Sequence, residues 1–399
     1  ATTEIYTLSL HDALPICSVV TNTPVAGAAR GYGSPQIHAI TEINIENAAR
    51  LLGIDPLAFR LRNIMQTGDS DPLGSPGLGK VGVGECLVQG AERFGWKEKY
   101  AAHPGDGRYR TGVGMAAMVH GNGYYGAYPE SSTVHLSLLA DGSITVDAAL
   151  HDLGCGTITV AHQIAAEALR VPISSVRVLE ADTLRSPYDP VGSQACRVTF
   201  VCGEAIRQAS EAFSAAILER AARIMGVPSS SLQMDGETVV CIGSDERMTL
   251  AEVSRRGIRN NLGPLQYIYH YDADANPGSY GATFAEVVVD TWTGLVDVRH
   301  IVAAHDIGRA LNPEFVRGQI YGGVQMNLGF ALYEDMSPSS DGTIRGSSFS
   351  KYHMINAPSM PQIDIVLVEA EEPHGPYGAK SIGERSEEHT SELQSPNTI

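Results

Sequence analysis

The strongest constraint on this chain is a hydrophobic pattern that changes period repeatedly along its length. Ser132-Thr133-Val134-His135-Leu136-Ser137-Leu138 alternates with period two, Asp141-Gly142 provides a turn, and Ser143 to Val146 resumes the alternation, so a β-hairpin is predicted. His151-Asp152-Leu153-Gly154-Cys155-Gly156 then leads into helical spacing from about Thr159 to Leu169 and a strand near Val176 to Leu179. A long helix from about Val198 to Met225 follows, with short elements to about residue 262 and strands at Leu265 to Tyr271, Thr283 to Asp290 and Val296 to Ala304. Asn312-Pro313 has the cap-then-proline order of a helix start, the helix reaching about Tyr333, and Gln362 to Glu369 reads as a last strand. Upstream, Ile37, Ile40, Ile43, Ala48, Leu51 and Leu52 recur at helical spacing and read as scaffold. Asp55-Pro56 opens a second helix, and a third spans about Gly84 to Phe94. Strands and helices mixed without a strict βαβ period predict an α+β fold of two packed subdomains, residues 17–262 and 263–384.

With 399 residues, 43% hydrophobic and 18% charged, the chain can bury a sizeable core. No run of 18 or more apolar residues and no secretory leader pattern is present, which points to a cytoplasmic protein that does not span a membrane. A formal charge of −17 without Lys/Arg blocks argues against nucleic acid or an anionic membrane as partner, because both require a positive footprint. Small molecules or other subunits remain. The six cysteines form no CxxC pair, a poor arrangement for zinc, an iron–sulfur cluster or a disulfide framework.

The two ends differ from the rest. Residues 1–16, ATTEIYTLSLHDALPI, and residues 385–395, RSEEHTSELQS, resemble translated adapters of the kind ligated to DNA fragments before sequencing, so 1–16 and 385–399 are set aside from the fold. Residues 17–384 are then expected to be an internal piece of a longer gene product.

Gly77, Gly79 and Gly82 satisfy GxGxxG, but prolines precede them where a dinucleotide site needs a hydrophobic strand. Neither GxSxG nor HExxH occurs, so a hydrolase has no anchor. Four glycine-flanked segments carry more. In Arg30-Gly31-Tyr32-Gly33-Ser34-Pro35-Gln36, glycines on both sides of an aromatic let backbone approach a flat ligand. Asp152 to Gly156 offers backbone amides at a helix N-terminus, a place for an anion. Gly318-Gln319-Ile320-Tyr321-Gly322-Gly323-Val324-Gln325 puts adjacent glycines inside a helix at about 2 kcal/mol relative to alanine, which implies close packing or a cofactor against that face. Gly375-Pro376-Tyr377-Gly378-Ala379-Lys380-Ser381-Ile382-Gly383-Glu384 is a stiff loop presenting one carboxylate.

In this order, and together with LGIDPLAFRLRN, GATFAEVVVDTWTGLVDV and HDIGRALNPEFVRGQIYGGVQMNLGFALYED, these segments resemble the xanthine dehydrogenase and aldehyde oxidase family of molybdenum hydroxylases over residues 25–384. The resemblance implies the molybdopterin-binding domain of the large subunit, with molybdenum held through the cofactor's dithiolene and no metal ligand from the protein. It implies Glu384 as catalytic base, deprotonating a Mo–OH group in a hydroxylation that takes its oxygen from water and passes hydride to a Mo-bound sulfide. An enclosed glycine loop that raises its pKa would suit that step. Arg30 and Gly31 would lie near the metal's oxo group and the pterin. Gly154, Cys155, Gly156, Ser193, Ala195, Gln325 and Gly383 would line the cofactor, and Tyr32 and Tyr124 would stack on the substrate.

The expected substrate is a purine-like N-heterocycle such as xanthine or hypoxanthine, with an aldehyde or isoquinoline-type substrate as the alternative. Electrons would leave through 2Fe-2S and FAD groups on partner chains or the missing part, in a hetero-oligomer. A reading of another class is an inactive scaffold or assembly fragment. Three departures from the family pattern stand out: Cys155 where many relatives have Gln, Tyr32 where the animal enzymes have Phe, and Arg385 after Glu384 where Pro-Pro is usual.

Overall fold

The structure, a computed structural model, describes residues 29–70, 79–102, 104–105, 107–124, 129–189 and 191–383. Glu384 and the segments 1–16 and 385–399 lie outside the described residues.

In chain order the elements begin with α1 (Ser34–Leu52), α2 (Pro56–Asn63), α3 (Val83–Phe94), α4 (Trp96–Ala101) and β1 (Tyr109–His120). The chain continues through β2 (Ser131–Leu138), β3 (Ile144–Leu150), α5 (Thr157–Leu169), β4 (Val176–Glu180) and α6 (Gly203–Met225). Next come β5 (Leu232–Asp235), β6 (Thr238–Cys241), β7 (Arg247–Thr249), α7 (Leu250–Arg259) and β8 (Leu265–Asp272). The last are β9 (Ser279–Asp290), β10 (Val296–Asp306), α8 (Pro313–Leu332) and β11 (Gln362–Val368). Helix starts follow their caps: the Asp55 carboxylate accepts the Ala58 amide at 2.9 Å, and the Asn312 side chain accepts that of Phe315 at 3.2 Å.

The strands make sheets of order β1-β9-β10-β11 and β4-β3-β2-β8, with a small β5-β6-β7 sheet beside the second. Neither large sheet follows a division at residue 262. β1 pairs with β9 from Tyr109↔Asp290 to His120↔Ser279, while β8 pairs with β2. The two units are therefore 131–272, inserted between β1 and β9, and the surrounding remainder. Each has its own core: Val134, Leu136, Ile144, Val146, Phe213 and Ile217 in the inserted unit, Phe94, Trp96, Met115, Tyr280 and Phe284 on one face of the other sheet. Ile301, Ala303, Ile320, Val324 and Leu328 fill its opposite face, under α8.

Each large sheet contains one parallel pair, β3 with β4 and β10 with β11, and each pair is bridged by a helix, α5 or α8. The strand-to-helix loops begin with the same pattern, His151-Asp152-Leu153-Gly154 and His305-Asp306-Ile307-Gly308. In both, the Asp Oδ1 accepts the amide of the glycine two residues on, at 2.9 Å for Gly154 and 3.1 Å for Gly308, and both glycines have positive φ, 97° and 57°. The fold thus uses one loop device twice, at the carboxyl ends of parallel strands where open sheets hold ligands.

α1 forms as its spacing predicts but faces the other way. The core-facing positions are Pro35, Ala39, Glu42, Glu46 and Ala49, while Ile40 (62% exposed), Leu51 (88%) and Leu52 (58%) look outward. The reversal has a partner-based cause. Arg60, buried on α2, donates from Nε to Glu42 at 2.8 Å, from NH1 to Glu46 at 3.3 Å and from NH2 to the Met115 carbonyl at 3.1 Å, and Glu42 also accepts the Ala117 amide at 2.8 Å. Paired, hydrogen-bonded charges can occupy an interior that unpaired ones cannot. Arg60→Met strands both carboxylates, so the full chain should lose about 3–5 kcal/mol of unfolding free energy, read from denaturant midpoints at constant slope.

Candidate functional site

The two strand-to-helix loops meet. Gly156, at φ 78°, precedes α5 without a side-chain cap, and the Phe315 ring from the first turn of α8 lies against it so closely that a Cβ at 156 would overlap the ring. Beside this contact opens a cavity of about 440 Å³, a volume in the range of cofactor sites. Its charged lining is one-sided: Arg30, Arg197, Arg309 and Lys380, with no carboxylate among the described residues. Arg197 and Lys380 are paired with buried carboxylates behind the wall, so it is Arg30 and Arg309 that favour an anionic ligand.

The closing segment forms the opposite wall through Ala379, Lys380, Ser381, Ile382 and Gly383. It is pinned where it passes β10. Gly308 and Ala379 form an antiparallel bridge, the Arg309 amide donates to the Gly378 carbonyl at 2.8 Å, and the Lys380 amide donates to the Ile307 carbonyl at 2.9 Å. A Cβ at Gly308 would overlap the Gly378 carbonyl, so this crossing requires glycine. The Lys380 ammonium, fully buried, donates to Asp306 Oδ2 at 2.6 Å and to the Lys80 carbonyl at 2.5 Å. Ser381 donates its amide to Asn122 Oδ1 at 2.9 Å and accepts the Phe200 amide at 3.2 Å.

Arg30 stands between this cavity and a second one of about 320 Å³, lined by Tyr32, His120, Gly123, Tyr124, Gln194 and Ala195. Its NH2 donates to the Gln319 carbonyl of α8 at 3.1 Å, and the glycine face of that helix accommodates its guanidinium beside Gly322. Among the described residues, Arg30 Nε is buried without a hydrogen-bond partner. A buried orphan donor in a wall shared by two cavities is what a site awaiting an acceptor presents. Backbone strain gathers at the same place: Tyr32 (φ 52°), Ala195 (φ 52°) and Cys196 (φ 56°) are non-glycine residues in the left-handed region. They are followed by Arg197 and a π-helical turn, Val198–Cys202.

Arg197 holds that segment from inside. It is fully buried and donates to Glu130 at 2.6 Å, to Asp189 at 2.9 and 3.1 Å, and to the carbonyls of Gly192 and Ser131. Burial opposes its charge, yet the neighbouring carboxylates of Asp189 and Glu130 raise its pKa, so it stays cationic. Burial also pushes the Cys202 thiol up to about 11, which keeps it protonated.

Of the residues singled out in the sequence, Arg30, Gly154, Cys155, Ser193 and Gly383 line the first cavity and Tyr32, Tyr124 and Ala195 the second. Gly31 (φ 95°) joins Arg30 to Tyr32, and Gly156 is the seat of Phe315. Gln325 is placed elsewhere, donating from Nε2 to the Ile355 carbonyl at 3.3 Å, because its position on α8 is turned away from the cavity walls. The anion cradle expected of Asp152–Gly156 is also modified: Asp152 Oδ1 takes the amides of both Gly154 (2.9 Å) and Gly156 (3.1 Å), leaving the uncapped α5 terminus as the anion-favouring element. Cys155 Sγ lies 3.1 Å from Thr157 Oγ1. Sequence reading missed Arg197, Arg309, Phe315 and Lys380; the repeated His-Asp-Leu/Ile-Gly pattern was the signal that would have placed Arg309 and Phe315. Among the described residues no group of three or more His, Cys, Asp or Glu is placed to hold a metal ion. Nor is any described helix long and apolar enough to cross a membrane.

The Gly156–Phe315 contact yields a test. Gly156→Ala should lower the thermal midpoint through both overlap and left-handed strain. In a Phe315→Ala background its cost should fall to the strain alone, about 1–2 kcal/mol.

Residues 89–361 and 14–64 match two descriptions of the molybdopterin cofactor-binding domain. A xanthine dehydrogenase molybdenum-binding subunit from Escherichia coli is 34% identical over 371 residues, covering 91% of this chain and 49% of that protein. Among solved structures, the reconstituted CO dehydrogenase from Oligotropha carboxidovorans shares the fold with a TM-score of 0.82 at 22% identity, over 92% of this chain and 48% of that one. The aldehyde oxidoreductase from Desulfovibrio desulfuricans gives a TM-score of 0.75 at 25% identity, over 92% of this chain and 38% of that one. The chain spans about half the length of the curated relatives it matches.

Proposed function

The chain belongs to the molybdopterin cofactor-binding domain family, and from that premise we propose that it is the cofactor-holding half of a molybdenum-dependent oxidoreductase subunit that hydroxylates a purine-like N-heterocycle. The observation that carries this reading is the cation-lined, glycine-walled cavity with an unpartnered Arg30 Nε at its edge, which fits an anionic, flat cofactor. When bound, the molybdenum–molybdopterin group supplies two-electron redox chemistry with water as the source of oxygen.

The chain's own contributions follow from its geometry. The α5 terminus, Cys155, Ser193 and Arg309 receive the cofactor's polar and anionic edge, and Arg30 donates to it from the side shared with the second cavity. Tyr32 and Tyr124 flank the second cavity and stack on a planar substrate. Glu384 directly follows Gly383, a wall residue, and acts as the general base that takes the proton from the attacking oxygen. Lys380 and Ser381 fix the segment on which that carboxylate is carried.

The xanthine dehydrogenase relative supports the purine reading. The aldehyde oxidoreductase supports an aldehyde substrate as the second reading. Electrons leave through 2Fe-2S and FAD groups on partner chains or the rest of the protein. The outward apolar stripe of α1 supports a chain that belongs within a larger assembly.

Two experiments test this. In the full-length protein, Glu384→Gln should lower kcat by about 10²–10⁴ with molybdenum content unchanged, and retained turnover rejects the base assignment. The 399-residue chain alone should carry well under one molybdenum per chain by metal analysis and show no turnover. Activity on hypoxanthine and xanthine against aromatic aldehydes, measured anaerobically on the full-length protein, decides the substrate class: oxidation of aldehydes alone rejects the purine reading.

A further inference from the structure

One buried carboxylate joins the two cavities. Glu130 is 3% exposed, and its oxygens have separate duties: Oε1 accepts Arg197 Nε at 2.6 Å, and Oε2 accepts the Tyr124 amide at 2.7 Å. Arg197 passes the connection on, donating to both oxygens of Asp189 and to the Gly192 carbonyl at 2.9 Å. Asp189 Oδ1 in turn accepts the amides of Val191 at 2.9 Å and Gly192 at 2.8 Å, just before the strained Ala195–Cys196 corner. A carboxylate–guanidinium–carboxylate chain therefore runs from the loop bearing Tyr124 to the segment that borders both cavities.

We propose that Glu130 and Arg197 are positioning residues for the substrate cavity, setting the place of Tyr124 against the Gln194–Ala195 wall. The proposal rests on the reading of the second cavity as a seat for a flat substrate. Their chemistry is specific to the task. Tyr124 N–H and Arg197 Nε–H are both donors and point at different ends of the group between them, so that group must accept at both terminal atoms, which a carboxylate does and a primary amide, with one oxygen and one NH2, does not. Glu130→Gln preserves size but turns an NH2 donor toward one of the two donors. The wall then loses either the Tyr124 contact or the Arg197 contact, and a buried donor left unmatched is expensive. Arg197→Lys keeps the charge but loses the planar fork that reaches two carboxylates and two carbonyls at once.

The test uses the full-length, cofactor-loaded protein reduced with dithionite, so that it cannot oxidise what it binds, with hypoxanthine and benzaldehyde as calorimetric probes. Glu130→Gln should raise Kd about 10-fold for whichever probe the unaltered protein binds. In a Tyr124→Ala background the same substitution should change Kd by less than about 2-fold, since the residue through which it acts is gone. Arg197→Lys should show the same dependence on Tyr124, and it decides the matter if Glu130→Gln does not fold. An unchanged Kd, an equal loss in both backgrounds, or failure of the unaltered protein to bind either probe overturns the proposal. Binding of benzaldehyde without hypoxanthine rejects the purine reading instead and leaves the Glu130 comparison intact.

Discussion

The ion pair between Lys380 and Asp306 has neither partner exposed to water, and the wall of the cavity depends on it. Asp306 does two things at once: Oδ1 shapes the loop after β10 by accepting the Gly308 amide, and Oδ2 takes the Lys380 ammonium. One carboxylate thereby ties the end of a sheet strand to the segment leading to Glu384. Desolvating two charges is costly, and the pair is held by added hydrogen bonds, including the one from Lys380 to the Lys80 carbonyl. Losing one partner would leave the other charged and buried, at a cost of about 3–5 kcal/mol.

Around that anchor the electrostatics divide by place. The protein as a whole is acidic, but Arg30, Arg197, Arg309 and Lys380 gather at the cavity. Arg197 and Lys380 are neutralised by buried carboxylates behind the wall, so they act as structural supports. Arg30, with an unpartnered Nε, and Arg309, which is exposed, are the two positioned to answer a ligand's charge. In the proposed reading, scaffold and binding functions are carried by different cations of one cluster.

Local patterning was legible to a large extent. The Asp55 and Asn312 caps, the Asp141-Gly142 hairpin and the order of strands and helices could all be read because each depends on neighbours in sequence. What could not be read depends on distant partners. The α1 stripe forms a helix as its spacing predicts, but which side faces inward is decided by Arg60 on another helix, which makes Glu42 and Glu46 the interior residues. Pairing across residue 262 has the same cause: β1 and β8 find their partners on the far side of it. At the site, the glycine-flanked segments contribute Arg30, Tyr32, Gly154, Cys155 and Gly383 to the cavity linings, since backbone approach and positive φ are local demands. That Gln325 meets the Ile355 carbonyl is likewise decided by a distant partner, since helix register alone does not say which neighbour a side chain meets.

The central claim is that the cavity between the two repeated loops and the closing segment holds the molybdenum cofactor. A molybdenum anomalous difference map from crystals of the full-length protein tests it most directly. The account predicts a single peak within the cavity bounded by Arg30, Cys155, Ser193 and Gly383. A peak outside those walls, in crystals of protein shown to carry the metal, would contradict it.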